Sequence, residues 1–574
     1  MAVYALIGQA SLYYGTLSEP EQAFATLDEA LAIAQQANNP NLLRTVLINQ
    51  GSFYRLSGDS VKGIEAYGQA LALISPSDNY QERLLLQQQL AYAYEAAGRT
   101  TEAIPRYQDN LTLARERSDG IWAAWSMDDL SFAHQQLQDY EQALSWQQQA
   151  LVQHQQAAPD GSISLLNGYN NLGWLHWSLG NLPEAEQALR RAIQGYTDTA
   201  QDVEENQGLF AQTNDDLQVN LREGFSDAYR TLQAVLVAQG KVEDGLVVAE
   251  QGRARAILGL LAAKTGGDAT VPDPTIADLK AVAQRQDTTL VSYSVLYDQP
   301  RMRWGNRLDQ LPQEKTLLIW VVQPSGDVTL RQVDLQQFWQ DAGGAGDIGN
   351  SRPNLETDFE ASFDTPLESL IKDSRQAIGV PGRGFNLAWR AQDNPSQTLI
   401  PELQRLHQLL IEPVGDLLPS DPTATVTFIP QDMLFFTPFT ALQDPAGTFF
   451  IEAHTPVTAP SIQFLALADE RQQQLGRNAI NSSALVVGNP TMPQVRVNVN
   501  GPLQQLPELP GAELEADAIA TLLDTDPLVG AAASEAAVVS QFSNARIIHL
   551  ATHGTLASGA EESSQPPAVP PSNG

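Results

Sequence analysis

The chain has 574 residues, 43% of them hydrophobic and 17% charged, with 33 basic against 67 acidic side chains and a formal net charge of −34 at pH 7. That length implies several domains rather than one core, the composition is globular rather than disordered, and so acidic a surface repels phosphate backbones and argues against nucleic-acid binding. There is no cysteine, which removes disulfides, thiolate metal sites and cysteine nucleophiles together.

The first residues, MAVYALIGQASLYYG, have no basic region ahead of the apolar ones. No run reaches the roughly 18 apolar residues a spanning helix needs, so a cytoplasmic protein without a membrane partner is expected. The N-terminal half then repeats itself. Alanine or glycine recurs at Ala23, Gly63, Ala103, Ala143 and Ala185, spaced 40, 40, 40 and 42 residues apart. Seven positions on, Ala30, Ala70, Ala150 and Ala192 recur, broken once by Asn110, and between the two columns stand Leu27, Tyr67, Tyr107 and Leu189. Small residues let two helices approach closely and the larger ones fill the space between units. Upstream of each pair lie an aromatic and a turn glycine, as in QGSFYRLSGD, LAYAYEAAGR and NLGWLHWSLGN.

This pattern resembles the tetratricopeptide repeat, at a period of about 40 rather than the usual ~34. Five units agree in register, and a sixth, FSDAYRTLQAVLVAQGKVEDGLVVAEQG, follows an insertion between about 200 and 222. The resemblance implies a curved solenoid whose concave groove grips a protein or peptide partner. Within the repeats, Trp122, Trp125, Trp174 and Trp177 lie at helical spacing and are read as inter-repeat core. His134 and His176 occupy the aromatic position of their units and are read as packing residues, and EQALSWQQQALVQHQQA as a solvated helix face.

A helix rich in Arg, Ala and Leu, VAEQGRARAILGLLAAKTGGDATVPDP, runs into a Gly, Pro and Asp linker that sets a boundary near 265 to 275. Its LLAAKTGG is no phosphate loop, because Ala263 stands where that motif needs a glycine. Beyond it, TTLVSYSVLYD, TLLIWVVQPSGDVTLRQVD, TVTFIPQDMLFFTPFTAL and SALVVGNP read as strands, with helical segments such as LQRLHQLLIEPVGDLL between them. Strands alternating with helices predict an α/β sheet.

Six segments, AEQGRARAILGLL, LHQLLIEPVGDLL, FIPQDMLFFTPFTAL, ALVVGNP, LPGAELEADAIATLL and ARIIHLATHG, stand in the order seen in CHAT domains, the caspase-like peptidase modules attached to tetratricopeptide repeats. The resemblance spans about residues 249 to 554. It implies a parallel sheet that presents a histidine at the end of one strand and a cysteine at the end of the next, the thiolate attacking the scissile carbonyl. His553 would then be the general base or acid and Gly554 an oxyanion donor, while His549, inside the strand, is structural. The family pattern continues with a further helix and a cysteine-bearing strand. Here GAEESSQPPAVPPSNG follows instead, too rich in Pro, Ser, Gly and Glu for a buried strand.

No other nucleophile takes the cysteine's place: there is no G-x-S-x-G elbow, and Thr552 and Thr555 merely neighbour the histidine. His549 and His553, four apart, share a face only on a helix, so no metal is expected, and no cofactor either. Truncation, a pseudo-enzyme and a split protein all account for the missing half, and the low-complexity ending favours truncation. The strand ARIIHLA would become a sheet edge, loosely held or prone to association.

The expected architecture is an α solenoid of tetratricopeptide-like helix pairs followed by an incomplete α/β caspase-like domain. The repeats occupy 1–200; an insertion, the sixth repeat and a connecting helix 201–265; the N-terminal part of the CHAT module 275–480, with a loop-rich stretch over 340–395; the first half of the peptidase core 481–554; and a disordered tail 555–574. The expected role is a protein-protein interaction scaffold, inactive because the cysteine is missing. The alternative is the N-terminal fragment of an active peptidase whose cysteine-bearing segment is lost or supplied by another chain.

Overall fold

The first helices of three successive repeats begin where a side chain satisfies free amides. Asn39 accepts from the amides of Asn41 and Leu42, Asn79 from Gln81 and Asp119 from Trp122, so the caps recur at the repeat period. Each first helix ends in a left-handed residue, Gly58, Gly98, Gln138 and Gly180 in turn, the conformation that glycine adopts most easily. Cap, helix, turn and second helix follow from local chemistry alone.

The computed structural model describes residues 2–15, 20–75, 79–157, 162–205, 215–265, 273–298, 313–341, 365–378, 400–475, 484–492, 494–496, 503–506, 508–542, 545 and 547–552. Among them the N-terminal region forms six helix pairs: α1 (Ala2–Gly15) and α2 (Pro20–Gln36), α3 (Pro40–Leu56) and α4 (Ser60–Ala72), α5 (Tyr80–Ala96) and α6 (Thr100–Glu116), α7 (Gly120–Gln136) and α8 (Tyr140–Ala157), α9 (Ile163–Ser178) and α10 (Leu182–Glu205), and α11 (Asp215–Ala238) with α12 (Val242–Thr265). The described part of the expected insertion at 200–222 is helical, as the end of α10 and the start of α11.

The small-residue columns lie in the core: Ala23, Ala103, Ala143 and Ala185 are fully buried, as are Ala30, Ala70, Ala150 and Ala192. Asn110 breaks the second column, and its buried amide nitrogen donates to the Leu84 carbonyl at 2.9 Å. Trp174 is buried and Trp122 and Trp177 pack against the core. Trp125 departs from expectation: it stacks edge-on against Trp122 at 5.2 Å and stays 38% exposed. Helical spacing places both tryptophans on neighbouring turns, but only packing decides which one the adjacent unit covers. His134 Nδ1 lies 3.2 Å from Asp139 and His176 Nδ1 3.5 Å from the Asn181 amide.

Behind the repeats, β1 (Thr288–Tyr297), β2 (Glu314–Val322), β3 (Val328–Asp334), β4 (Thr425–Ile429) and β5 (Thr455–Thr458) form one mixed sheet in the order β3-β2-β1-β4-β5. β1 pairs antiparallel with β2 and parallel with β4, and β5 is parallel to β4. The apolar runs of β1 and β2 are buried on both faces. On one side Val291, Tyr293, Leu317 and Ile319 pack on α15 (Pro366–Ala377) and α16 (Pro401–Leu410) through Ile371, Leu403 and Leu406. On the other, Leu290, Leu318 and Trp320 pack on α13 (Ile276–Gln286) and on the last helix pair through Ala234, Leu246 and Ala249. A short α14 (Leu335–Asp341) follows β3.

Two sequence readings change here. TVTFIPQDMLFFTPFTAL is a strand only as far as Ile429. Pro430 lacks a ladder donor, and the chain continues in two 3₁₀ turns, Asp432–Phe436 and Phe439–Ala441. The stretch 340–395, read as loops, contains α15, whose Leu367, Leu370 and Ile371 are core residues at helical spacing; the rest of that stretch, apart from the end of α14, Thr365 and Ile378, lies outside the described residues.

Contacts divide the chain into two compact units. One comprises Met1–Ile378 with Ala391–Leu467, the other Gly379–Arg390 with Ala468–Gly574. Helix α17 (Ile462–Leu475) begins in the first and ends in the second. The second unit holds β6 (Ala484–Pro490), an antiparallel pair of β7 (Gln494–Arg496) and β8 (Leu503–Gln505), α18 (Pro510–Leu522), β9 (Leu528–Gly530), α19 (Glu535–Phe542) and β10 (Ile547–Ala551). Among the described residues no helix is long and apolar enough to cross a membrane.

Candidate active site

β6, β9 and β10 are parallel, in the order β10-β6-β9. All three therefore end at one edge of the small sheet, the edge from which an open α/β sheet presents its functional loops. β10 pairs residue by residue with β6, from Ile547 beside Ala484 to Ala551 beside Gly488. Helix α18 covers one face, with Ala516 and Ala520 against Val486. Helix α19 covers the other, with Val538 near Leu485 and Val487.

Three residues of β6 shape that edge. A Cβ on Gly488 would stand 2.3 Å from the Ala516 Cβ and 2.7 Å from the Ala512 carbonyl, so only glycine lets α18 lie this close. Asn489 adopts a left-handed backbone, φ 41°. Its side chain ties the edge together, donating to Glu513 at 3.0 Å and accepting from the Leu509 amide at 2.7 Å. Pro490 closes the strand opposite Gly530.

His549 lies in mid-strand beside Val486, with Nε2 3.1 Å from Glu515 of α18. That position sets the ring beside the helix, away from the sheet edge. Ala551 and Thr552 carry the described chain to the edge; His553 and Gly554, the expected catalytic pair, lie outside the described residues, as does the tail 555–574. Among the described residues β10 has a strand neighbour on one side only, and Ile547, Ile548 and Leu550 are exposed. No group of three acidic or histidine side chains among the described residues is placed to hold a metal ion.

A family model described as CHAT domain matches residues 401–566, and one described as tetratricopeptide repeat matches 80–152 and 122–198. The chain carries a CHAT domain behind tetratricopeptide repeats. The CHAT match includes β4 to β10 and the positions of His553 and Gly554. A third model, anaphase-promoting complex subunit 5, matches residues 2–57.

Among curated relatives, tetratricopeptide repeat protein 28 of Mus musculus is 24% identical over 443 residues, 67% of this chain and 18% of that protein. The Homo sapiens protein of that name is 24% identical over 442 residues, 67% of this chain and 17% of its own length. The chain thus spans less than a fifth of the length of these two relatives. Among solved structures, BtubC (BKLC) from P. vanneervenii is 21% identical with a TM-score of 0.34, covering 48% of this chain and 95% of that one. The apo form of RapI is 13% identical with a TM-score of 0.32, covering 45% and 100%.

The structure also brings together residues that no spacing reveals. Arg230 of α11 reaches Asp432 in the first 3₁₀ turn of FIPQDMLFFTPFTAL. In the repeats, Asp128 of α7 accepts from Gln147 at 2.9 Å and lies 2.6 Å from His154 Nε2, all three buried. Glu250 and Arg253 of α12 pair at 2.7 Å beside β1. Only the last pair left a trace in the sequence, a glutamate and an arginine three apart on one helix face of AEQGRARAILGLL.

Proposed function

We propose that this chain is a cytoplasmic protein-binding scaffold whose repeats hold a protein or peptide partner and whose CHAT domain serves as a regulatory module without peptidase activity of its own. The observation that carries this reading is the lack of any cysteine in 574 residues. A caspase-like mechanism needs a thiolate, and no serine elbow in the sequence and no metal cluster among the described residues stands in for it. The repeat side of the reading is supported by Leu85 on α5 and Trp125 on α7, which hold the same position of successive units and are 49% and 38% exposed. Ile121, one turn before Trp125, is exposed as well. Solvated apolar side chains in register along a solenoid suit an apolar peptide segment.

Two assays test it. A displayed peptide library screened on the full chain is expected to yield apolar ligands whose affinity falls tenfold or more in Leu85→Ala/Trp125→Ala. Ligands indifferent to that pair would move the partner off this face. Incubation with fluorescent casein is expected to give no turnover above buffer.

A second reading is favoured by β10, which runs parallel to β6 and ends two residues before His553. In it His553 is the working general base, Gly554 an oxyanion donor, and the cysteine arrives on another chain. Casein turnover on adding such a chain, abolished by His553→Ala, would replace the first reading with the second.

A further inference from the structure

Helix α11 continues the series of first helices. Thirteen residues ahead of the turn residues Gly98, Gln138, Gly180 and Gly240 stand Leu85, Trp125, Asn167 and Asp227, since 98 − 85, 138 − 125, 180 − 167 and 240 − 227 are each 13. Leu85 and Trp125 are exposed, whereas Asp227 is buried and shares a cleft with the end of β1. Trp174 and Trp177 of α9, Asp227 and Arg230 of α11 and Leu296 and Tyr297 of β1 line that cleft, all within one compact unit. Trp177 and Tyr297 are half-buried; the other four are buried.

Two donors in this lining have nothing to donate to. Trp174 is 5% exposed and Arg230 9%, yet Trp174 Nε1 and Arg230 Nε meet no acceptor among the described residues. Both atoms only donate, and burial removes the water each would otherwise bond, so an occupant that fits brings an acceptor. The cleft leaves about 20 Å³ open to the centre of a water-sized group. Roughly 10–15 Å³ on that measure holds one such group, so an oxygen enters and a side chain does not. Arg230 already faces two carboxylates, Asp227 at 3.1 Å and Asp432 at 2.6 Å. One cation against two anions repels a third carboxylate but not an uncharged oxygen. A peptide carbonyl, neutral and with two lone pairs, meets all three requirements.

We propose that this cleft is a subsite for a main-chain carbonyl of the partner, so that a peptide lying along the line of Leu85 and Trp125 ends against β1. The peptide rests on the repeat-binding reading above; the acceptor site does not.

The indole N–H resonances of the full chain, followed by NMR during titration with N-methylacetamide and with acetate, test this. The Trp174 resonance, assigned by its loss in Trp174→Phe, is expected to move and saturate with the amide at a concentration at least fivefold below that needed with acetate. The exposed Trp125 is expected only to drift. No saturation at Trp174, or acetate as effective as the amide, would overturn the proposal, leaving a solvent-filled cleft or an anion site. Arg230→Lys, which keeps the charge and lacks the Nε–H, is expected to weaken the amide response at least threefold; an unchanged response would overturn the proposal too. Displayed-library peptides that bind through Leu85 and Trp125 are expected to lose fivefold or more in affinity on Trp174→Phe. Peptides lost by Leu85→Ala/Trp125→Ala yet indifferent to Trp174→Phe would overturn the subsite and leave the repeat reading standing. A saturable amide response without any such peptide would support the acceptor site and overturn the repeat reading instead. Where Trp174→Phe fails to fold, Arg230→Lys assigns the resonance by its displacement and carries the peptide comparison.

Discussion

Arg230 Nη2 donates to Asp432 Oδ2 at 2.6 Å, closing a contact across 202 residues of chain. The same guanidinium donates to the buried Asp227 at 3.1 Å and lies over the Tyr297 ring, 5.6 Å from its centre. Burial disfavours the Arg230 charge, but Asp432 and Asp227 outweigh it and hold the group above its ordinary range. The last repeat and the sheet therefore fold as neighbours within one unit.

Removing Arg230 takes the guanidinium away from the buried Asp227 carboxylate. Arg230→Ala is expected to cost about 3 kcal/mol in urea unfolding. Arg230→Lys, which keeps the charge but loses the fork, is expected to cost less.

The Asp128–His154 pair occupies a core that other units fill with apolar groups. Positions one period from His154 carry Ala114, Ile74 and Ala34, and the Gln147 position carries Tyr107 and Tyr67. His154→Leu leaves the aspartate with one partner fewer and is expected to cost about 3 kcal/mol. The double change Asp128→Leu/His154→Leu is expected to recover part of that loss, because two apolar groups need no partners, while Gln147 still loses its acceptor. Chemical denaturation of the three proteins gives the coupling directly.

Gly488→Ala is expected to loosen α18 from β6 at a cost of about 2 kcal/mol, since its Cβ meets backbone as well as Ala516. Exchange should rise in 484–490 and 510–522 and remain unchanged in α3 to α8. Gly8→Ala, whose Cβ meets nothing within 4 Å inside the exposed face of α1, serves as the control and is expected to stabilise slightly.

Stability should also depend on pH near neutrality. Burial holds His407 below the ordinary histidine value of 6.5, aided by His454 and opposed by Asp444 and Glu412, and burial lowers His454 too. As pH falls, the unfolded chain takes up these protons before the folded one. The contribution is therefore full above about pH 6.5 and is lost as pH falls below it. Melting temperature is expected to drop between about pH 7.5 and 5.5, and His407→Phe to flatten that slope.

Local rules made the repeats legible. Caps, turn glycines and the alanine columns are spaced by the helix period itself, so residues a few positions apart in sequence report their own packing. The strands β1, β2 and β6 were equally plain, because apolar runs of that length bury on both faces. The sequence alone also showed that none of the 574 residues is a cysteine.

Tertiary structure decided the rest. Which tryptophan stays solvated depends on how the units pack, and Asn110 and the buried Asp128 find their partners on other helices, 19 to 26 residues away. Arg230 meets Asp432, and Glu250 meets Ile462, only because the last repeat packs on the sheet. A buried charge must find its partner wherever the fold brings one, and no periodicity in the chain encodes that distance.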